Sequence, residues 1–185
     1  MRAYRRSLVA LLKSKNIDKE SFRGVEVGVM EGETSRYLLS QFPNMSLLLV
    51  DPWLAPQPGT AWYNSQRHKV DQVTMDRRML LTRQNTDFAS DRRIIIRATS
   101  VEAAKKILDG VLMMVFIDGD HTEIAVAQDL RAWWPKLRSG GLFCGHDYYH
   151  NRRGEGVGLA VDRWAREEGR EIKVAAGGVW HTWKE

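Results

Sequence analysis

Leu47 to Val50, Ile94 to Ile96 and Val111 to Ile117 are apolar without a break. Alternating apolar and polar residues would mark a strand with one wet face. Unbroken apolarity marks a strand covered on both faces, which is the signature of a parallel sheet between layers of helices. The segments between these runs carry the helices that such a sheet needs. Tyr4, Leu8, Leu11 and Leu12 recur at helical spacing over residues 3–15. The reading continues with a strand at Arg23–Val29, a helix at Thr34–Phe42 stopped by Pro43, and a strand at Met45–Val50. A helix over Gln66–Phe88 follows, anchored by Val70, Val73, Met79 and Leu80, and then a third buried strand at Arg93–Arg97. Thr99 and Glu102 form a capping box for a helix to Leu108. The strand Val111–Ile117, a helix over Glu123–Leu137 kinked by Pro135, and the strand Leu142–Gly145 come next. A helix at Leu159–Glu168 and a closing antiparallel pair, Glu171–Ala175 with Val179–Lys184, complete the chain. With right-handed crossovers this is an α/β fold: a Rossmann-like doubly wound sheet, mostly parallel, with a C-terminal antiparallel hairpin and helices on both faces.

At 185 residues the sequence reads as a single domain over 1–185. Residues 1–22 form an N-terminal helix and linker. Residues 54–92 form a loop-helix insertion whose prolines and aromatics, Trp62 and Tyr63 among them, make it either a core anchor or a lid. Cys144 is the single cysteine, so no internal disulfide forms, and the expected compartment is the cytoplasm. No apolar run is long enough to span a bilayer, so no membrane association is expected. The net charge of +5 comes from arginine pairs scattered along the chain. Scattered pairs read as solvated faces sooner than as a nucleic-acid groove, and a homo-oligomer stays open.

Ligands of doubly wound sheets bind outside the carboxyl ends of the strands. The unusual polar residues of this sequence collect there. The first strand delivers Glu26 and then Gly28, Glu31 and Gly32, a loop of the kind that brings backbone close to a ligand. The second delivers Asp51 and Trp53. Asp51 stands 23 residues after Gly28, the distance at which an acid accepts from ribose hydroxyls, whereas the alternative is an Asp-Pro turn. The third delivers Thr99 and Ser100, the fourth Asp118, Asp120 and His121, and the fifth His146 and Asp147. Asp118, Asp120 and Asp147 offer the oxygen ligands that Mg²⁺ prefers. His121 and His146 are candidate general bases, since an imidazole titrates near neutrality. Asp120 belongs with them among the candidate catalytic groups.

Four segments carry a family resemblance: Val25–Gly28, Val50–Trp53, Phe116–His121 and Gly140–Tyr148. They resemble class I S-adenosylmethionine-dependent methyltransferases, and more narrowly the small branch with macrocin-type O-methyltransferases and cephalosporin-hydroxylase-like proteins. The resemblance implies S-adenosylmethionine as cofactor and methyl transfer to a hydroxyl of a small molecule. It implies that Glu26 and Gly28 hold the aminoacyl end, Asp51 the ribose, Ser100 and its neighbours the adenine, with Asp118 near the methionine part. Metal-using relatives hold Mg²⁺ with an aspartate after the fourth strand and an acidic pair after the fifth. Here the pair reads His146-Asp147, so metal-assisted and histidine-based transfer both stay open. Two further readings are an RNA methyltransferase on the same fold and a nicotinamide-binding module. The second lacks the three-glycine fingerprint, with Met30 in the place of its middle glycine.

Overall fold

The computed structural model describes residues 2–56, 70–149 and 156–185. Seven strands form one sheet: β1 (Phe22–Val27), β2 (Met45–Asp51), β3 (Arg93–Arg97), β4 (Leu112–Ile117), β5 (Leu137–Gly145), β6 (Lys173–Ala175) and β7 (Val179–Trp183). Their spatial order is β3-β2-β1-β4-β5-β7-β6. The pairs from β3 through β5 are parallel, and β7 runs antiparallel to both β5 and β6. The sheet is therefore Rossmann-like and doubly wound, with the expected antiparallel pair at its C-terminal edge. Strand order reverses between β1 and β4.

The helices are α1 (Ala3–Ser14), α2 (Glu33–Gln41), α3 (Gln72–Asn85), α4 (Ser100–Ala104), α5 (Glu123–Trp133) and α6 (Val157–Glu167). Side chains alternate across each strand, so the sheet feeds two cores. Leu8 and Leu12 of α1, Leu38 and Leu39 of α2 and Met75 of α3 cover one face, against Leu47, Leu49, Met114 and Phe116. Val126, Leu130 and Trp133 of α5 and Val161 and Trp164 of α6 cover the other, against Val25, Val27, Val115 and Ile117. Among the described residues no helix is long and apolar enough to cross a membrane.

Several boundaries move for local reasons. β1 stops at Val27 rather than Val29, because the Val29 amide is drawn to Asp51 instead of a sheet partner. β3 is an edge strand, not a buried one, and Ile94 is 58% exposed. α3 begins at Gln72, where the Asp71 carboxylate accepts from the Thr74 amide. Its buried residues are Met75 and Thr82, whereas the expected anchors Val73 and Leu80 are exposed. α4 ends at Ala104 instead of Leu108, although its capping box forms as read. α5 ends at Trp133, and Pro135 opens a 3₁₀ turn after it rather than kinking it. β5 starts five residues early, at Leu137. Trp62, Tyr63 and most of the loop in the 54–92 insertion lie outside the described residues.

Candidate active site

Gly28 leaves β1 with φ of 89°, and a Cβ there would land on the Asp118 carbonyl. Glycine alone lets the β1 loop close onto the β4 loop. Side chains alternate, so Glu26 points to the α2 face while Val25 and Val27 point to α5. Glu26 is 2% exposed, and the Ser35 hydroxyl donates to its carboxylate. Burial pushes this carboxyl up to about 8; the Ser35 bond holds it partly down, and Asp118 adds repulsion. A buried acid with one hydroxyl partner at a strand end is suited to a cationic ligand group.

Asp51 ends β2 with 6% exposure. Its Oδ2 accepts from the amides of Val29 and Met30, each at 3.0 Å, and its Oδ1 accepts from the Trp53 amide at 2.7 Å. Burial raises its pKa, and these three amides oppose the rise. The carboxylate thus staples the β1 loop to its own turn, and any ribose contact would fall on the lone pairs left over. Trp53 is fully buried, and its indole donates to the Met30 carbonyl at 2.8 Å. It supports the loop from beneath and offers a ligand no exposed ring, which corrects the expectation that it touches the cofactor. Glu31 is exposed beside Arg78, with Nε–Oε1 of 4.0 Å.

At the end of β3, the Thr99 hydroxyl is engaged in its capping box with Glu102. Ser100 Oγ accepts from the Trp133 indole at 2.8 Å.

The β4 and β5 exits build the chemical centre. Asp118 Oδ1 and Asp147 Oδ2 stand 3.5 and 3.2 Å from His146 Nδ1. The same oxygens stand 3.8 and 3.3 Å from His121 Nε2. Four of the expected residues therefore converge. Asp120 does not join them: it is exposed, and its Oδ1 accepts from the Thr122 amide at 2.8 Å, shaping the turn into α5. The other nitrogen of His146, Nε2, meets the Gly177 carbonyl at 2.9 Å. A carbonyl only accepts, so Nε2 carries a proton. Burial alone would lower the pKa of this ring, but the Asp118 and Asp147 carboxylates outweigh it and push it up to about 9. The carboxylates thus favour the charged form of His146, which makes it a poor base. Asp147 holds a left-handed backbone, φ 56°, the kind of local strain that collects at functional sites.

The residues that could hold a divalent ion are Asp118, His121 and Asp147, whose ligand atoms lie within 4.8 Å of one another. That set does not fit Mg²⁺. Asp120 is missing from it, one donor is an imidazole, and both carboxylate oxygens already face His146.

Two participants escaped the sequence reading. Tyr4 of α1 lies under His146, with ring centroids 4.2 Å apart, and shares a hydrogen bond with Thr34 at 2.8 Å. Its helical spacing with Leu8 reads only as core. Asp129 of α5 is 5% exposed, and burial pushes its carboxyl up to about 7.

A methyltransferase domain family model matches residues 25–148, more than half of the chain. No curated protein matches it significantly. Among solved structures, the chain resembles a Staphylococcus aureus protein assigned as a caffeoyl-CoA O-methyltransferase, at 15% identity and a TM-score of 0.68. That match covers 100% of this chain and 84% of the other. It resembles the O-methyltransferase NovP at 15% identity and a TM-score of 0.68, over 98% of this chain and 79% of that one. Precorrin-6y C5,15-methyltransferase of Geobacter metallireducens is similar at 16% identity and 0.65, over 97% and 88%. Likeness at this identity speaks for the fold, and the family match carries the rest: the chain belongs to the methyltransferase domain family and is a class I S-adenosylmethionine-dependent methyltransferase.

Proposed function

We propose that this enzyme methylates a hydroxyl oxygen of a small molecule, with His121 as general base. The observation that carries the reading is the unequal surroundings of the two histidines. His146 is clamped between the Gly177 carbonyl and two carboxylates, which favour its charged form. His121 faces Asp147 at 3.3 Å with 30% of its side chain exposed. Asp147 orients His121 as the acid orients the base in a nucleophile–base–acid relay. The cofactor, when bound, supplies an electrophilic methyl on a sulfonium. His121 would take the proton that the acceptor hydroxyl gives up. Positioning does most of the work in such an in-line displacement.

The crevice fits S-adenosylmethionine on two counts. Gly28 lets the β1 loop pack onto the Asp118–Gly119 backbone at the sheet's reversal, where the two loops form one wall, and the buried Glu26 faces the α2 side as partner for the aminoacyl ammonium. Asp118 is the second carboxylate near that end. Magnesium has no step in this reading, because the donor set is unsuited to it. The neighbours named above methylate at different atoms by their names, so the choice of oxygen rests on the base and on the O-methyltransferases among them.

The test is transfer from labelled S-adenosylmethionine to a panel of catechols, phenols and sugar hydroxyls, with an RNA pool and amines alongside. Products identified as methyl ethers, and lost in His121→Ala, are expected. Methyl on nitrogen or on RNA, or full activity in His121→Ala, overturns the reading.

A further inference from the structure

α3 is thinly anchored for a helix of its length. Of its 14 residues, Met75 and Thr82 alone are buried. Its inner side is spent on bonds to the crevice loops. Thr82 donates to the Met30 carbonyl at 2.9 Å, Asn85 to the Glu31 carbonyl at 2.8 Å, and the Gln72 amide to the Trp53 carbonyl at 2.8 Å. A helix in a protein draws most of its stability from a packed apolar face. The larger apolar residues of α3 turn the other way. Val73 and Leu80 are each more than half exposed, and so is Phe88 in the 3₁₀ turn that follows the helix. With about 3.6 residues to a turn, Val73 and Leu80 lie within about 20° of one another on the outer side. By the same geometry Arg77 and Gln84 flank this stripe on one side, and Asp76 and Arg83 on the other; all four are exposed. Leu80 also borders a depression that Asp76, Met79, Arg83 and Arg97 line.

A second copy of this chain matches that face in shape and in charge. We propose that the protein forms a two-fold homodimer through the outer face of α3, with the two helices antiparallel and Leu80 at the axis. Such an axis sets each flank of the stripe against the same flank of the copy. Asp76 stands four residues before Leu80 and Arg83 three after it. Reversing one helix about Leu80 therefore brings Asp76 level with the partner's Arg83, to within about one residue's rise of 1.5 Å. Two opposite-charge pairs form at once, one on each side of the axis. On the other flank Arg77 comes level with the partner's Gln84 in the same way, and the turn carrying Phe88 reaches the partner's Val73. The charges are open to this use. Gln72 and Arg97 both donate to Asp76 Oδ1, which leaves Oδ2, and among the described residues Arg83 has no ion pair. Exposed ion pairs add little adhesion by themselves. Leu80, Val73 and Phe88 supply it, and the pairs fix direction and register. The dimer holds α3 from behind against the loops that follow β1 and β2.

Sedimentation equilibrium of the whole chain tests this. A contact built on one helix pair belongs at the small end of interfaces, so a micromolar dimer is expected, and wild type at about 100 μM should be mostly dimeric. Leu80→Glu should weaken association by about thirtyfold or more, since it sets two carboxylates at the axis. Arg83→Asp and Asp76→Arg, each alone, oppose like charges and should weaken self-association by about tenfold. An equimolar mixture of these two variants should regain dimers, because both cross pairs are then opposite in sign. A folding defect cannot produce that recovery. Leu80→Cys gives an independent reading, since the single native cysteine, Cys144, is buried. Mild oxidation should link two copies of Leu80→Cys by a disulfide, whereas Leu108→Cys, at a position still more exposed, should stay unlinked. Monomeric wild type at about 100 μM overturns the proposal. So does a dimer that Leu80→Glu leaves intact, a mixture that associates no better than its parts, or a Leu80→Cys chain that links no faster than Leu108→Cys.

Discussion

Glu26 gives the sharpest pH test of the buried crevice. Its carboxyl is pushed from 4.5 to about 8, chiefly by burial at 2% exposure. Between these two values the folded chain keeps a proton that the unfolded chain has lost. The folded state is therefore favoured fully below about pH 4.5, loses stability as pH rises, and stops losing it above about 8. At about 1.4 kcal/mol for each tenfold change in proton concentration, the loss is at most about 5 kcal/mol; water reaching the carboxylate would bring it to about 2–3. Glutamine keeps an acceptor for the Ser35 hydroxyl and cannot ionise. Urea unfolding of wild type and Glu26→Gln at pH 5 and pH 8.5 isolates this group, because the other carboxyl groups are common to both proteins. The variant is expected to match wild type at pH 5 and to exceed it by about 2–5 kcal/mol at pH 8.5. The same substitution should weaken S-adenosylmethionine by about tenfold or more, since the ammonium loses its charged partner. A stability difference that is equal at both pH values would refute the burial argument. A stabilised variant with unimpaired affinity would leave the burial argument standing and remove Glu26 from the cofactor site.

Other perturbations read out the remaining parts. His146→Gln should destabilise by about 2–3 kcal/mol at pH 6: the ring's raised pKa stabilises fully below its ordinary value of 6.5, and that benefit is lost as pH rises through about 9, so chemical unfolding at pH 10 should show little difference. Gly28→Ala combines a left-handed backbone with a carbonyl clash and should cost about 3 kcal/mol or more in thermal unfolding; a cost below about 1 would mean that the loop can open. Asp51→Ala strands three buried or half-buried amides and should cost at least about 3 kcal/mol even without ligand, so a neutral result would undo its role as a staple. Excess chelator should leave methyl transfer within about twofold of its untreated rate, and abolished transfer would restore a metal at Asp118 and Asp147.

The sheet was legible because unbroken apolar runs have few other uses, and the polar residues at their ends marked the crevice. What escaped depends on order in space. Ile94–Ile96 reads the same in a central strand as at an edge, and only the placement of β3 beside β2 alone decides that Ile94 meets solvent. Within Asp118–His121, spacing cannot say which side chains turn inward. The α5 cap took Asp120 and left His121 to the cluster. Trp53 follows a strand end and so reads as a ligand-facing aromatic, yet the Met30 carbonyl gave its indole a partner inside. Asp129 left a signal that went unused. It sits three residues after Val126 and four before Trp133, on the apolar stripe of its helix, where an acid is out of place unless something employs it.

The strained residues of these loops are each held by partners. Met30, Trp53 and Asp147 follow the ends of β1, β2 and β5 and take φ of 54°, 41° and 56°. None is glycine, so each carries a cost of about 1–2 kcal/mol. The first two hold one another. Asp51 accepts from the amides of both, the Trp53 indole donates to the Met30 carbonyl, and Thr82 donates to the same carbonyl at 2.9 Å. Four hydrogen bonds at about 1 kcal/mol each offset two such strains with little to spare. The third is met by charge: Asp147 faces the imidazolium of His146 and the ring of His121. The loops after β1 and β2 are thus held by neutral bonds together with the Asp51 carboxylate, which raising the pH keeps charged. The loop after β5 is set by an ion pair that titrates. Raising pH through about 9 removes the cation beside Asp147, so the loop after β5 loosens under alkaline conditions, as the buried Glu26 side of the crevice already does from about 8.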